Sequence, residues 1–178
     1  MKLGTLLATN LTANKLLEEQ PIGPFKDEYA FLSNSDERFP VYDPKDEIQY
    51  PTNEHFYQAH KFGTKPSRIF ISTLATPGKA KRAGRGIGIP EEVKEDMCLQ
   101  QWQDISLDIL LTGLRLKFNQ NPMAANLLLA TGNRVLVEKN NWGDDFFGMV
   151  LDPEGKWTGK NHLGRLLMQV RDELRSGK

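Results

Sequence analysis

The chain has 178 residues, of which 39% are apolar and 26% are charged. This near-average composition is typical of one folded globular domain and excludes disordered, collagen-like and fibrous proteins. The 23 basic and 23 acidic residues give a formal net charge of zero. That balance excludes a protein that coats nucleic acid or membranes through a broadly basic exterior.

Cysteine usage and hydrophobic runs indicate a cytoplasmic protein. Cys98 is the only cysteine, so no intrachain disulfide can form, and its helical surroundings predict a small buried side chain. The longest apolar stretch, 107–116, is interrupted by polar residues and is too short to span a membrane. The N-terminus lacks the pattern of a secretory signal. We therefore expect a cytoplasmic location and no membrane association.

The first part of the chain predicts a helix followed by a β-hairpin. Residues 1–19 place leucines at helical spacing and predict an amphipathic helix, which a Pro- and Gly-containing segment ends. Residues 38–42 and 47–50 have strand composition, and the Asp-Pro-Lys-Asp between them is typical of a turn. We therefore expect an N-terminal helical extension, 1–20, before the main domain, which occupies 21–178.

The middle of the chain is predicted to be helical. Thr52 can cap a helix over 53–62, and Thr76-Pro77 is a start signal for a helix that ends at Gly84. Further helices are predicted over 66–74, over 90–118 with room for one break, and over 121–132.

The last third of the chain predicts two strands and a helix. Residues 134–138 and 146–151 have strand composition, and Asn161 can cap a final helix that carries a leucine-rich stripe. The sequence therefore predicts a single α+β domain, helix-rich, with a small β-sheet.

Four polar residues share one face of the helix predicted over 53–62. Glu54, Tyr57, Gln58 and Lys61 follow one another at i, i+3, i+4 and i+7. A carboxylate and an ammonium about 10 Å apart along such a helix can both point into one cavity. The alternative is an exposed helix with ordinary surface charges, and the pattern alone leaves both open.

Three other segments have the composition of ligand-binding sites. In 140–145, Trp142 offers a ring for stacking and Asp144 an acceptor for a hydroxyl group, although a core-capping Trp and a polar turn would look alike. Segment 158–164 opens the last helix, where N–H groups suit an anion unless its Asn is a simple cap. Segment 80–85 suits a diphosphate or a solvated basic face.

Motifs for metals and nucleotide cofactors are absent from the sequence. His55 and His60 are five residues apart, which does not match a helical metal pair. The run Gly84-Arg85-Gly86-Ile87-Gly88 follows a basic helix rather than a strand, so it does not match a dinucleotide fingerprint. We predict neither a metal nor a cofactor.

Several uncommon strings occur in a characteristic order between residues 25 and 175. They are Phe31-Leu32-Ser33-Asn34, Pro51 through Phe62, Ala80 through Arg85, Lys117-Phe118, Leu136-Val137-Glu138, Trp142-Gly143 and Gly159 through Arg171. This combination resembles the NADAR family, also called YbiA-like. The chain departs from the family in having Ser35 where Phe is frequent, and residues 1–20 lie outside the pattern.

The resemblance implies an α+β fold and N-glycosidase activity, which is hydrolysis of a bond between ribose C1′ and a nitrogen. Two substrate classes are implied: ADP-ribose attached to guanine bases, and phosphoribosyl-aminopyrimidine intermediates of riboflavin synthesis. No metal or cofactor is implied. We favour the guanine adduct, and thus ADP-ribosylated DNA or RNA as a partner, because basic residues suit a diphosphate or a nucleic-acid backbone.

The same resemblance assigns roles to residues. Glu54 is the expected catalytic carboxylate, with Asp144 as helper, because positive charge develops on the ribose as the bond breaks. Lys61 either holds Glu54 or a phosphate electrostatically, or attacks the opened sugar as a neutral amine to form a Schiff base. The expected substrate-binding residues are His55, Tyr57, Gln58, Gly84, Gly143, Leu163 and Gly164, with Trp142 for stacking, Lys81 and Arg85 for phosphate, and Asn34 and Asn161 for hydrogen bonds.

Two other classes of function stay open. A non-catalytic module that binds ADP-ribose or NAD would use the same residues, although the joint presence of Glu54, Lys61, Trp142 and Asp144 favours an enzyme. An interaction module built on the N-terminal helix would leave the polar clusters unexplained. The sequence does not indicate an oligomeric state.

The charged residues are unevenly distributed. Seven of the 23 basic residues and no acidic residue lie between His55 and Pro90. They are Lys61, Lys65, Arg68, Lys79, Lys81, Arg82 and Arg85. We predict that this stretch forms one positive wall of an anion-binding cleft.

Overall fold

The structure, a computed structural model, describes residues 20–177. The helix predicted over 1–19 lies outside the described residues. So does the predicted extension 1–20, except for residue 20. Within them, no helix is both long enough and apolar enough to cross a membrane.

Helices make up most of the described chain. A 3-10 helix, Asp27–Leu32, precedes seven α-helices. These are α1 (Asn53–Ala59), α2 (Lys65–Ser72), α3 (Pro77–Ala83), α4 (Glu91–Glu95), α5 (Trp102–Gln120), α6 (Pro122–Ala130) and α7 (His162–Ser176).

The strands form two separate antiparallel hairpins rather than the one small sheet that was predicted. In the first, β1 (Val41–Asp43) pairs with β2 (Ile48–Tyr50), and alternate residues are buried and exposed. In the second, β3 (Val150–Leu151) pairs with β4 (Trp157–Thr158). The helix-rich α+β class is confirmed.

Helix α1 is short because its C-terminal end turns away to pair with another segment. Thr52 caps it as predicted, since its Oγ1 accepts a 3.2 Å hydrogen bond from the N–H of His55. Beyond Ala59, the carbonyl of Lys61 accepts from the N–H of Cys98 at 2.8 Å, and Phe62 forms a bridge with Met97. The helix therefore ends before the predicted boundary at residue 62.

The same pairing breaks the long helical pattern predicted over 90–118. Helix α4 ends at Glu95, the bridging residues Met97 and Cys98 follow, and α5 begins at Trp102. Cys98 is exposed, so the prediction of a buried side chain was wrong.

The segment predicted as a strand over 134–138 is extended but belongs to neither sheet. Ile22 and Leu136 form a single parallel bridge, with Ile22 donating to the carbonyl of Val135 and accepting from the N–H of Val137, both at 2.8 Å. The strand predicted over 146–151 is reduced to β3, because the N–H groups of Phe146 and Phe147 are used by the side chain of Asp144.

Helix α1 lies between two clusters of buried apolar side chains. Phe56 and Ala59 pack with the β1–β2 hairpin and helices α2 and α3. Tyr57 packs with the other cluster, which joins the N-terminal segment to α5, α6 and α7. Burial of apolar groups on both sides fixes the rotation of α1 and directs its remaining polar face into a cavity.

Candidate active site

The polar face of α1 forms one side of a cavity of about 530 Å³. Eleven of the residues that the sequence singled out line it: Asn34, Glu54, Tyr57, Gln58, Lys61, Lys81, Arg85, Trp142, Gly143, Asp144 and Leu163. The loop before β1, helices α1, α3, α5 and α7, and segment 138–147 all contribute. A cavity of this size is in the range that binds small molecules.

The carboxylate of Glu54 is oriented by its neighbours. Its Oε1 accepts a 2.7 Å hydrogen bond from the side-chain amide of Gln58, one helical turn later. The N–H of Glu54 donates to the carbonyl of Asn34 at 2.8 Å. The Oδ1 of Asn34 accepts from the side chain of Asn53, also at 2.8 Å, so the loop and the start of α1 hold each other.

Lys61 lies between the aromatic and the basic parts of the cavity. Its Nζ donates to the carbonyl of Gly84 at 3.2 Å and lies 5.8 Å and 5.3 Å from the ring centres of Tyr57 and Trp102. Burial lowers the pKa of this ammonium below its ordinary value; Glu54 opposes the effect, and Arg85 and Lys81 add to it. The neutral amine is therefore more accessible here than on an exposed lysine.

Only part of the basic stretch contributes to the cavity. Lys61, Lys81 and Arg85 line it. Lys65 lies 3.5 Å from Glu47, and Arg68 forms an ion pair with Asp46, in both cases toward the β1–β2 hairpin. The prediction that all seven basic residues form one wall of the cleft was therefore wrong. Lys65 and Arg68 lie on α2, which places them beside the β1–β2 hairpin and not in the cavity lining.

Gly84 does not line the cavity but packs directly against Gln58, which does. A Cβ atom built at this position would overlap the Oε1 of Gln58 and lie 2.8 Å from its Cδ. Gly84 also supplies the carbonyl that Lys61 contacts. The absence of a side chain thus allows Gln58 to reach Glu54.

His55 lies outside the cavity lining and links α1 to the end of α2. Its Nε2 lies 3.0 Å from the carbonyl of Leu74, and its Nδ1 lies 2.8 Å from the hydroxyl of Thr52. Burial lowers its pKa, which favours the neutral ring. The structure gives His55 a packing role in place of the predicted contact with substrate.

The loop of Trp142 and Asp144 forms the rim of the cavity. The backbone N–H and carbonyl of Asp144 bond the side chain of Asn140 at 3.0 Å and 2.7 Å. Its Oδ1 accepts from the N–H of Phe147 at 2.8 Å, so one oxygen shapes the loop. Trp142 is 56% exposed, and its ring is free to stack on a ligand.

The start of α7 does not offer the anion site that was predicted. The N–H groups of His162 and Leu163 donate to the carbonyls of Phe146 and Phe147, at 3.3 Å and 3.0 Å. They are therefore not free to hold a phosphate. Of this segment, Leu163 lines the cavity.

Asn161 and Gly164 act by fixing segment 136–138. The Oδ1 of Asn161 accepts from the N–H of Glu138 at 3.0 Å, and its Nδ2 donates to the carbonyl of Leu136 at 2.9 Å. A Cβ at Gly164 would overlap that same carbonyl. Neither residue lines the cavity, and Asn161 makes no side-chain cap to α7.

Glu138 is the main cavity residue to which the sequence assigned no role. Burial, and secondarily the carboxylate of Asp144, raise its pKa to about 7, against the opposing charges of Lys26 and Lys81. The only sequence signal was its place in the string Leu136-Val137-Glu138, four residues before Trp142.

Three aromatic residues to which the sequence assigned no role, Trp102, Phe146 and Phe147, line the cavity together with Tyr57. Tyr57 makes edge contacts with Trp102 and Phe147, with ring centres 5.0 Å and 5.8 Å apart, and Phe147 packs on Phe146. The same four rings border a neighbouring cavity of about 440 Å³, which also includes Gln103. Flat heterocyclic rings suit such surroundings.

A group of possible metal ligands lies outside the cavity, where α1 meets the β1–β2 hairpin. One ligand atom each from Asp43, Asp46 and His60 lies within 4.8 Å of the others. The guanidinium of Arg68 pairs with Asp46 and already supplies positive charge to this group. The residues of the cavity itself offer carboxylates without an accompanying imidazole or thiolate.

Comparison with known proteins identifies the family. The model of the NADAR domain matches residues 19–175. The chain belongs to the NADAR family. The resemblance stated from its sequence strings is thereby confirmed.

Members of this family from different organisms are similar to the chain. N-glycosidase YbiA of Escherichia coli is 34% identical over 129 residues, which cover 70% of this chain and 71% of YbiA. Its NMR structure matches with a TM-score of 0.68 at 30% identity, over 88% of this chain and 84% of YbiA. N-glycosidase R617 of Acanthamoeba polyphaga mimivirus is 43% identical over 135 residues, 70% of this chain and 75% of R617.

A plant relative is much longer than this chain. The riboflavin biosynthesis protein PYRR of Zea mays, a chloroplast protein, is 36% identical over 137 residues. The match covers 72% of this chain but only 20% of the maize protein.

Proposed function

We propose that the protein removes ADP-ribose from ADP-ribosylated guanine bases of nucleic acid. Its class is that of an N-glycosidase, a hydrolase of N-glycosyl bonds, as its family relatives YbiA and R617 are named. The observation that carries the proposal is the meeting of an oriented carboxylate, Glu54, with Lys81 and Arg85 in one cavity.

The carboxylate suits the chemistry of the ribosyl C–N bond. As that bond breaks, the ribose acquires oxocarbenium character, and a negative group next to C1′ stabilises it. In this proposal Glu54, which is held by Gln58 and by the loop at Asn34, does this and accepts a proton from the attacking water.

The basic residues suit the diphosphate of ADP-ribose. Lys81 lies near the end of α3 and Arg85 just beyond it, on the same cavity as Glu54. A guanidinium and an ammonium together can neutralise two phosphate groups, with the guanidinium donating in a bidentate manner. Lys61 lies between these cations and Glu54 and contributes to the same field.

The exposed rim supports a base that stays attached to a polynucleotide. Trp142, 56% exposed, can stack on a base that enters from outside while the ribose reaches Glu54. The rings of Tyr57 and Trp102 supply apolar walls deeper in the cavity. A substrate tethered to a strand needs such an open edge.

A second candidate is the phosphoribosyl-aminopyrimidine class. Two relatives are named riboflavin biosynthesis proteins: PYRR of maize, and VVA0006 of Vibrio vulnificus, which is 32% identical and of which the match covers 39%. The same carboxylate would act, and the single phosphate of this substrate would engage Lys81 or Arg85.

The two candidates are separated by incubating the full chain with each substrate class. One reaction contains a DNA oligonucleotide ADP-ribosylated on guanine, the other the phosphoribosyl-aminopyrimidines, and both are analysed by mass spectrometry with Glu54→Gln as control. Free ADP-ribose and unmodified guanine are expected. Release of ribose phosphate from the pyrimidines alone would transfer the assignment to the second class. Calorimetric binding of ADP-ribose without turnover of either would leave a non-catalytic module.

A further inference from the structure

We propose that Glu138 is the general acid of the reaction: it protonates the leaving nitrogen, while Glu54 accepts a proton from the attacking water. This inference rests on the proposed N-glycosidase chemistry but not on which of the two substrates is used. Glu138 lines the same cavity as Glu54, from a different part of the chain. Its Oε2 is buried and has no hydrogen-bond partner among the described residues.

The backbone at Glu138 is fixed, and only its side chain remains unpaired. Its N–H donates to the Oδ1 of Asn161 at 3.0 Å, and its carbonyl accepts from the N–H of Met149 at 2.8 Å. A Cβ at Gly148 would lie 3.2 Å from the Cγ of Glu138, so the side chain is closely packed on that side. A buried carboxyl oxygen without a partner costs free energy unless a ligand completes it.

The charges around Glu138 favour its protonated form. Burial disfavours a negative charge on Glu138, and the carboxylate of Asp144 on the rim loop repels that charge further. Lys26 from the N-terminal segment and Lys81 from α3 act in the opposite direction. Among the described residues, the other charged groups that line its cavity are Glu54, Lys61, Lys81, Arg85 and Asp144, and Lys26 acts from outside this lining. A pKa raised to about 7 lets the carboxyl hold a proton near neutral pH and still release it.

The two glutamates differ in the way that an acid and a base require. Glu54 accepts a hydrogen bond from Gln58, which satisfies a lone pair of a carboxylate. Glu138 has an unsatisfied oxygen, next to another carboxylate. Two carboxyl groups in different surroundings, one acting as acid and the other as base, are the usual arrangement for cleaving glycosidic bonds.

The proposed step balances without a further reactant. As C1′–N breaks, its electron pair stays on the nitrogen, which takes the proton of Glu138. Water adds to C1′ and gives its proton to Glu54. The products are the sugar with a hydroxyl group at C1′ and the neutral amine. Glu138 is left ionised and Glu54 protonated until proton exchange with solvent restores both.

The test compares Glu138→Gln with the wild type and with Glu154→Gln, a change in an exposed turn outside the cavity. Turnover is measured from pH 5 to 9 with whichever substrate class the wild type hydrolyses. We expect wild-type kcat to decrease as pH rises past about 7. In Glu138→Gln, kcat at neutral pH should be roughly 100-fold lower than in the wild type. The decrease of kcat above pH 7 should be absent from this variant. Glu154→Gln should match the wild type. Turnover of Glu138→Gln with wild-type rate and pH profile would overturn the proposal.

A measurement without substrate separates this proposal from the proposed function. The side-chain carboxyl of Glu138 in ¹³C-labelled protein is assigned by its loss in Glu138→Gln and titrated by NMR. Protonation near pH 7 is expected even if the wild type hydrolyses neither substrate, and in that case the proposed function fails while Glu138 still has the properties of an acid. Titration in the ordinary range of a glutamate, near 4.5, would overturn the assignment. Glu138→Asp keeps a carboxyl group that can donate a proton, so its kcat should be higher than that of Glu138→Gln.

Discussion

The side-chain amide of Gln58 donates a 2.7 Å hydrogen bond to Glu54 Oε1. The two residues are one turn apart on α1, so the helix itself sets their spacing. Gln58 reaches this position because Gly84, which directly follows α3, has no Cβ and leaves room for the amide. The orientation of Glu54 in the cavity thus depends on a residue outside α1.

Gly84→Ala should reduce turnover more than stability. The new Cβ would lie 2.8 Å from the Cδ of Gln58, so the amide must move away from Glu54. Misplacement of a catalytic group on this scale costs roughly 10- to 100-fold in rate. Since the backbone at Gly84 has an ordinary helical conformation, φ −65°, the free energy of unfolding should change by less than about 1 kcal/mol.

Gly78→Ala is the matched control on the same helix. A Cβ there meets only the Oγ1 of Thr76 at 3.9 Å, an ordinary contact. Both variants are compared by kcat and by urea denaturation. Equal kcat in the two variants would show that the Gln58 contact does not orient Glu54.

Glu54→Gln should lower kcat at least about 100-fold, the effect typical of losing one acid–base group. The amide keeps the shape of the side chain but cannot stabilise positive charge on the ribose or accept a proton. Calorimetry with ADP-ribose tests whether the cavity still binds, and Glu95→Gln on the exposed surface of α4 serves as control. Turnover close to that of the wild type would remove Glu54 from the mechanism.

Features that depend on neighbours in sequence could be predicted. The start of α1 follows from a Thr that can cap and from four polar residues at helical spacing, and both are visible in residues 52–61. Helix α3 is equally local, since Thr76 and Pro77 mark its start. The resemblance to the family also predicted a binding role for segment 140–145. Nothing in the local sequence predicts that this segment lies at the cavity rim.

Features that depend on distant contacts could not be predicted. From the sequence, Arg68 belongs to the predicted basic wall. In the structure it forms an ion pair with Asp46, which lies 22 residues earlier in the chain. Asn161 has the composition of a cap, but its side chain bonds segment 136–138, 23 and 25 residues away. Glu138 is an ordinary glutamate in the sequence, and its pKa is raised by burial and by Asp144, both of which depend on the fold.

Borohydride reduction decides between the two roles of Lys61. Its pKa is lowered by burial, so at neutral pH it provides more of the neutral amine that can attack an opened sugar. If a Schiff base forms, borohydride added during turnover should trap an adduct detectable by intact-protein mass spectrometry. The adduct should be absent from Lys61→Ala and present in Lys79→Ala, an exposed lysine outside the cavity lining. No adduct on the wild type would leave Lys61 with an electrostatic role alone.

Lys117 should make stability depend on pH in the alkaline range. Its side chain is fully buried, and its Nζ donates to the carbonyls of Phe31 and Ser33, both at 2.7 Å. Burial lowers its pKa from 10.5 to about 7, although the charge of Asp36 opposes this. A neutral amine has two N–H donors, which the two carbonyls satisfy.

The sign follows from proton binding. Between pH 7 and 10.5 the unfolded chain holds the proton of Lys117 while the folded chain does not. The free energy of unfolding therefore rises with pH across this window, by up to about 1.4 kcal/mol per pH unit from this group. Lys117→Met removes that contribution, so the stability of the wild type relative to the variant should rise with pH across this window.

Urea denaturation of the full chain at several values between pH 6.5 and 9.5 measures this difference. Lys79→Met, a change at a lysine of α3 that is exposed to solvent, serves as control and should run parallel to the wild type. A Lys117→Met curve that also runs parallel would mean that Lys117 stays charged in the folded protein. Its two hydrogen bonds would then be those of an ammonium, and the Ser33–Asn34 loop that contacts Glu54 would be held by a buried charge.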